Sequence, residues 1–421
     1  MPSPNALSER AAEAVARLSY GRLVALLSRR SRDLMAAEDA LSEAFAAALR
    51  TWPERGVPHN PEGWLLTVAR RSLGHGERAA KVREQHRYTV EQLQNTLAEG
   101  PDGAVQFPDE RLKLMFVCAH PAIDAAARTP LMLQTVLGLD ASRIASAFLV
   151  SPAAMGQRLV RAKSRIRDAG IAYEVPTGDA LSPRLDDVLA AIYTAFNAGW
   201  DVMAETATGE GTPQGFAEEA IWLGQVLVAL MPEPEALGLL ALMYHCEARR
   251  AARRDEAGAF VPLDRQDHSR WSWAMIRQGE ALLAQAARAG QPGRYQCEAA
   301  IQSVHCEVVR TGTPRWPALE QLYDALLVFT DAVGVQVGRA AVLLRSRGAA
   351  HALSALEALP GALTQTYQPY WVTYAHVLRH AGRLEEANRA LQRALGLTQD
   401  PAVRAWLSAL PSDDAPANGD A

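Results

Sequence analysis

The sequence predicts an all-α chain: two small helical domains, the second a helix-turn-helix, followed by a helical-repeat C-terminal domain. Three observations lead there. Alanine, leucine, arginine and glutamate dominate while β-branched runs are scarce, a composition that favours helix over strand. Apolar residues recur at three- and four-residue spacing in most segments. Near the C-terminus, Trp371, Tyr374, Leu378, Gly382, Ala387, Leu391 and Ala394 fall at the spacing of a tetratricopeptide-type helical hairpin; an ordinary antiparallel helix pair is the competing reading. A weaker copy is expected around Ala318–Leu359, with upstream helices completing the stack.

The elements follow in order. Arg17–Leu27 and Ala36–Trp52 have amphipathic helical spacing, and Pro53 with residues 56–61 is read as a loop. Asn60 is a plausible N-cap with Pro61 at the first helical position of a helix through Trp64, Leu65 and Val68. Residues from about Gln85 to Asp109 are polar and read as a linker; helical patterning resumes at Arg111 and runs to about Ala169. After a break from Val175 to Pro183, helices are expected at Leu185–Asn197, Gly215–Met231, Glu235–Arg253, His268–Arg288, Tyr295–Thr311 and Ala318–Phe329. Residues 411–421 are small and acidic, and are read as a disordered tail.

Composition excludes several classes. With 421 residues, 49% hydrophobic and 21% charged, the chain matches globular proteins and is neither wholly disordered nor of low complexity. No run of 18 apolar residues occurs, so no transmembrane helix is expected. The first residues lack a secretory pattern, and four cysteines make no disulfide framework. The expectation is a cytoplasmic protein with reduced thiols, no membrane and no cofactor.

Net charge is −4, but it is unevenly distributed. Residues 1–175 carry 23 basic and 19 acidic side chains, and the remainder carries 20 and 28. A binding footprint is local, so this asymmetry tells more than the total. From Ala141 to Arg167 there are six basic residues and no acidic one. Asp140 can cap a short helix burying Ile144, Ala145 and Phe148; Leu149 and Val150 turn; Ser151 then offers an N-cap oxygen with Pro152 behind it. Met155, Leu159 and Val160 are expected to face the first helix, and Arg158, Arg161 and Arg165 to share another face. In such a helix-turn-helix, Ser151 opens the DNA-binding helix, Ala153, Ala154 and Gln157 lie where base edges are met, and Arg158, Arg161, Lys163 and Arg165 where phosphates are. A merely solvated basic helix is the alternative.

These strings, with others along the chain, resemble the extracytoplasmic-function (group IV, sigma-70 family) RNA polymerase sigma factors of the subgroup with a C-terminal helical-repeat (tetratricopeptide-like) extension. Asp33-Leu34 and Ala37–Phe45 are similar to the family's polymerase-binding helix, Asn60–Leu66 with Ala69-Arg70-Arg71 to the helix that meets the −10 element, and Asp109–Pro121 to the opening of the second DNA-binding domain. Ala147–Val150 and Gln157–Lys163 resemble its −35 reader, while Asp267–Trp271 and Tyr295–Ile301 resemble subgroup signatures.

The resemblance implies a region 2-like domain at 1–84, a linker at 85–108, a region 4-like helix-turn-helix domain at 109–172, a linker at 173–184 and a helical-repeat domain at 185–410. It implies core RNA polymerase and promoter double-stranded DNA as partners, with a regulatory protein or ligand at the C-terminal domain. Asp33, Leu34, Glu38, Asp39 and Glu43 are then the polymerase-binding residues, and Arg70, Arg71, His75 and Arg78 the −10 contacts. Leu41, Ala44 and Phe45 are expected to face their own core, as is Trp64. Asp264, Asp267, Arg270 and Trp271 form a cluster expected to cap a helix, with Asp267 as N-cap, and to make interdomain, regulatory contacts.

The chain departs from the family at Ser72–Arg78. Gly74 and Gly76 flank His75 where the family tends to place aspartate, and each glycine costs about 1 kcal/mol in a helix interior. The −10-reading helix is therefore expected to end early or bend. That departure leaves an alternative: a sigma-like protein–protein interaction scaffold that no longer melts promoters. Cys118 and His120 lack a second ligand pair nearby, so no metal is expected, and no phosphate loop, HExxH or GxSxG string points to an enzyme.

Overall fold

The computed structural model describes residues 4–81, 110–148, 150–176, 180–201 and 216–410. The expected 85–108 linker, Leu149 of the turn and the 411–421 tail lie outside them. Regular structure among the described residues is helical, with one isolated antiparallel bridge between Arg254 and Phe260. The chain divides into two compact units, Met1–Gly199 with Gln214–Val226, and Trp200–Pro213 with Leu227–Ala421.

In the first unit, α1 (Pro4–Ser31) packs against α2 (Leu34–Arg55) and α3 (Pro61–Lys81). Asp33 caps α2, accepting from the Ala36 amide at 3.1 Å, and Leu34, Ala37, Leu41, Ala44, Ala48 and Trp52 form its buried stripe. Pro53 does not open a loop as expected. It lies within α2, and the helix closes at Gly56, whose amide reaches the Trp52 carbonyl at 2.9 Å. The proline forfeits only its own amide bond in a last turn anchored by buried Trp52.

Further helices complete the unit: α4 (Glu110–Cys118), α5 (Ala125–Leu137), α6 (Ala141–Ala147), α7 (Pro152–Asp168) and α8 (Leu181–Asp201). Pro183 falls in the first turn of α8, so the expected break is shorter than the sequence suggested. The close approach of α1 to α5 requires Gly21, because a Cβ there would lie 1.6 Å from the Val136 carbonyl oxygen. α9 (Phe216–Leu230) spans the division between units. Its first part belongs with α4, where the Arg111 guanidinium lies 4.0 Å over the Trp222 ring and pairs with Glu219. Arg128 of α5 likewise meets Asp187 of α8 at 2.9 Å.

The second unit begins with α10 (Pro234–Glu247), α11 (Trp273–Ala287) and α12 (Arg294–Thr311). The Glu235 carboxylate accepts from the Tyr295 and Gln296 amides at 2.9 and 3.2 Å, satisfying donors that a helix start leaves unpaired. Next come α13 (Trp316–Leu326), α14 (Val333–Ser346), α15 (Ala349–Glu357) and the short α16 (Gly361–Thr364), then α17 (Gln368–His380), α18 (Leu384–Leu397) and α19 (Pro401–Ser408). α17 and α18 form the helical hairpin over the expected spacing, turning at Gly382 with φ +74°. Leu378, Ala387, Leu391 and Leu407 share one buried cluster with Leu343 and Leu356 of α14 and α15.

Candidate nucleic-acid interface

Helices α6 and α7, expected to form a helix-turn-helix, are built as their residues dictate. Asp140 accepts from the Ser142 and Arg143 amides, both at 2.9 Å, and starts α6. Ser151, in extended conformation, accepts from the Ala154 amide at 3.2 Å, and Pro152 occupies the first turn of α7. Met155, Leu159, Ala162 and Ile166 are buried, fixing one face inward. Val160 corrects the expected pattern: it is 55% exposed and stands outward. At 100° per residue it lies a full step from Leu159 and on the side of Gln157, a signal that the spacing already contained.

The outer residues Ser151, Ala153, Ala154, Gln157, Arg161 and Arg165 are exposed. Arg158 is partly covered, its Nη1 3.4 Å from the Ala126 carbonyl oxygen, and Arg165 Nε lies 3.3 Å from that of Ala122. Lys163 is placed differently from the arginines. Its Nζ is 2.6 Å from Glu38 Oε2, with the two side chains 12% and 13% exposed.

On α3, the Asn60 side chain caps the start by accepting from the Gly63 amide at 2.9 Å. Arg70 and Arg71 are exposed. Trp64 is half-buried, its ring edge-on to Trp52 at 5.6 Å. The helix neither ends nor breaks off at Gly74 and Gly76, but continues to Lys81. The Ser72 hydroxyl donates to the Glu43 carboxylate of α2, tying this stretch down, and propensity yields to such packing. The side chains of His75 and Arg78 lie outside the described residues.

The α2 residues fall into three groups. Asp39 and Glu43 are exposed. Asp33 is engaged as the cap and Leu34 is 1% exposed, so its side chain faces its own core. Glu38 is largely covered; burial, more than the opposing charge of Lys163, raises its pKa. Leu41 and Ala44 are buried and Phe45 is half-buried.

In the second unit, Asp267 caps a short 3-10 turn, His268–Arg270, rather than a long helix. The helix expected from His268 starts at Trp273, capped by Ser272. Arg270 donates to the Arg254 carbonyl at 2.6 Å, and Trp271 is buried beside Ala248, Ile276 and Cys306. Asp264 borders a cavity of about 320 Å³ with Arg265, His376, Arg379 and Trp406. Among the described residues no cluster of three or more metal-type ligands occurs, and no helix is long and apolar enough to cross a membrane.

Comparison with known proteins adds three findings. Residues 16–78 match sigma-70 region 2, and residues 184–287 match a family of unknown function, DUF6596. An uncharacterized protein of Rhizobium meliloti (strain 1021) is 37% identical over 392 residues, covering 90% of each chain. No solved structure matches.

Proposed function

We propose that this chain, which belongs to the sigma-70 family by its region 2, binds core RNA polymerase and directs promoter-specific transcription initiation. The observation that carries the reading is the region 2 match over residues 16–78. In this reading α2 meets polymerase through Asp39, Glu43 and, once exposed, Glu38. Arg70 and Arg71, with His75 and Arg78, serve the −10 element. The outer face of α7 reads the −35 element, with Ala153, Ala154 and Gln157 toward base edges and the arginines toward phosphates.

The extracytoplasmic-function assignment and the tetratricopeptide-like character of the extension belong to this proposal. The paired helices α14–α15 and α17–α18 support the latter. We assign the C-terminal part a regulatory role because α8 and α9 engage α5 and α4, which precede α6 and α7, through Arg128–Asp187 and Arg111–Glu219. The scaffold alternative drew on an expected break at Gly74 and Gly76, and α3 runs on through both.

In vitro transcription with core polymerase and genomic DNA, with start sites mapped, tests the reading. Discrete starts that need this chain and share upstream sequence are expected. Core binding without promoter opening would favour the scaffold, and neither activity would overturn both.

A further inference from the structure

In the second unit, one cavity gathers charged groups that the fold does not use. Its volume is about 320 Å³, within the range of pockets that enclose small organic molecules. Val372 and Ala375 of α17, Leu391 of α18 and Trp406 of α19 give it apolar walls. Asp264, Arg265, His376 and Arg379 supply the polar part of the lining. A mainly apolar wall with a few convergent polar groups is the usual make-up of a ligand site.

Two contacts hold the walls together. The Phe260 ring stands edge-on to Trp406 at 5.4 Å, and Arg254 pairs with Asp400, the cap of α19. They fasten the segment carrying Asp264 and Arg265 to α19. A ligand therefore meets a site already assembled and bears less of the ordering cost.

Charge decides what kind of ligand fits. Among the described residues, the side chains of Asp264, Arg265 and Arg379 enter no hydrogen bond or ion pair. Burial first, then the charges of His380, Arg345 and Arg379 against that of Asp264, lowers the pKa of His376 to about 4. Its ring is uncharged at neutral pH and offers one donor and one acceptor. Two guanidinium groups against one carboxylate leave the lining with one positive charge. A guanidinium fork matches a carboxylate through two parallel bonds, while the indole and aliphatic walls accept an apolar body.

We propose that this cavity binds a small organic carboxylate, with its apolar body against Trp406 and Leu391 and its carboxylate on Arg265 and Arg379. The site goes beyond the transcription reading and does not depend on it, because every lining residue belongs to the second unit.

The test is calorimetric titration of the full chain, without polymerase or DNA, with benzoate, 1-naphthoate and octanoate. At least one acid should bind with a Kd below about 1 mM, and its primary amide at least about tenfold more weakly. Arg265→Gln and Arg379→Gln should each weaken binding about tenfold, and both should unfold at the parent's urea midpoint, since neither side chain holds a partner. Asp264→Asn should bind at least as well as the parent, and Val372→Trp, which fills the cavity, should not bind. Failure of every acid to bind the parent chain overturns the proposal. Equal binding of acid and amide does the same, as does affinity that both arginine variants retain.

Discussion

Charge is used in opposite ways on α7 and in the second unit. There, charged groups point at neighbours and hold helices together: Glu235 on the start of α12, Arg254 on Asp400, and Arg339 on Asp324 at 2.6 Å. On α7, Arg161 and Arg165 stand exposed, in a stretch from Ala141 to Arg167 that has no acidic residue. The first pattern serves stability and the second leaves work for a partner. Substitutions should separate the two, because groups of the first kind move the unfolding free energy and groups of the second kind do not.

The largest expected effect comes from a buried histidine in the second unit. His245 is fully buried, Nδ1 3.9 Å from Cys306 Sγ and Nε2 3.6 Å from Glu280 Oε1. Burial, followed by the Arg249 charge, lowers its pKa from 6.5 to about 4. The unfolded chain thus binds this proton more readily than the folded one. Its contribution is complete above pH 6.5 and declines as pH falls toward 4, on the order of 3 kcal/mol in all. Urea unfolding at stepped pH should show that slope, and His245→Asn should make it shallower, the remainder coming from His305 and His376, which burial likewise lowers to about 4.

Next in size is Glu235→Ala, which leaves the first amides of α12 without their carboxylate and should cost about 2 kcal/mol. Chemical denaturation of the whole chain reads the loss. Ser151→Ala removes only the α7 cap and should cost about 1 kcal/mol; hydrogen exchange localised to the first turn of α7 would show it. An effect spread over the unit would mean that the cap does more than start a helix.

The smallest stability effect belongs to Arg161→Ala, expected within about 0.5 kcal/mol because the side chain is exposed. The same change should lower the log–log salt slope of DNA binding by about one unit. An unchanged slope would erase the contrast between the two regions.

What could be read ahead of the structure was local. Ser151–Pro152, Asp140 and Asn60–Pro61 announce helix starts because a cap needs only residues two or three apart. The inward face of α7 is legible except at Val160, which adjoins Leu159 in sequence but stands a full step from it on the wheel. Asp267 is legible as a cap, but the length of what it caps is not, because Ser272 supplies a second start. Lys163 and Glu38 stand 125 residues apart, and no spacing rule relates such positions. Leu34 joins the polymerase-binding residues by resemblance alone, although its place on the buried stripe of α2 shows in its spacing to Ala37 and Leu41.

Gly21 gives one carbon atom unusual leverage. With the Val136 oxygen sitting where a methyl would go, alanine at this position acts as a wedge driven between two modules, the one holding α1 and the one holding α5. It alters no charge and no residue assigned to polymerase or DNA. The engineered chain would be propped ajar, and its behaviour would show whether closeness of these modules restrains the molecule or merely stores it.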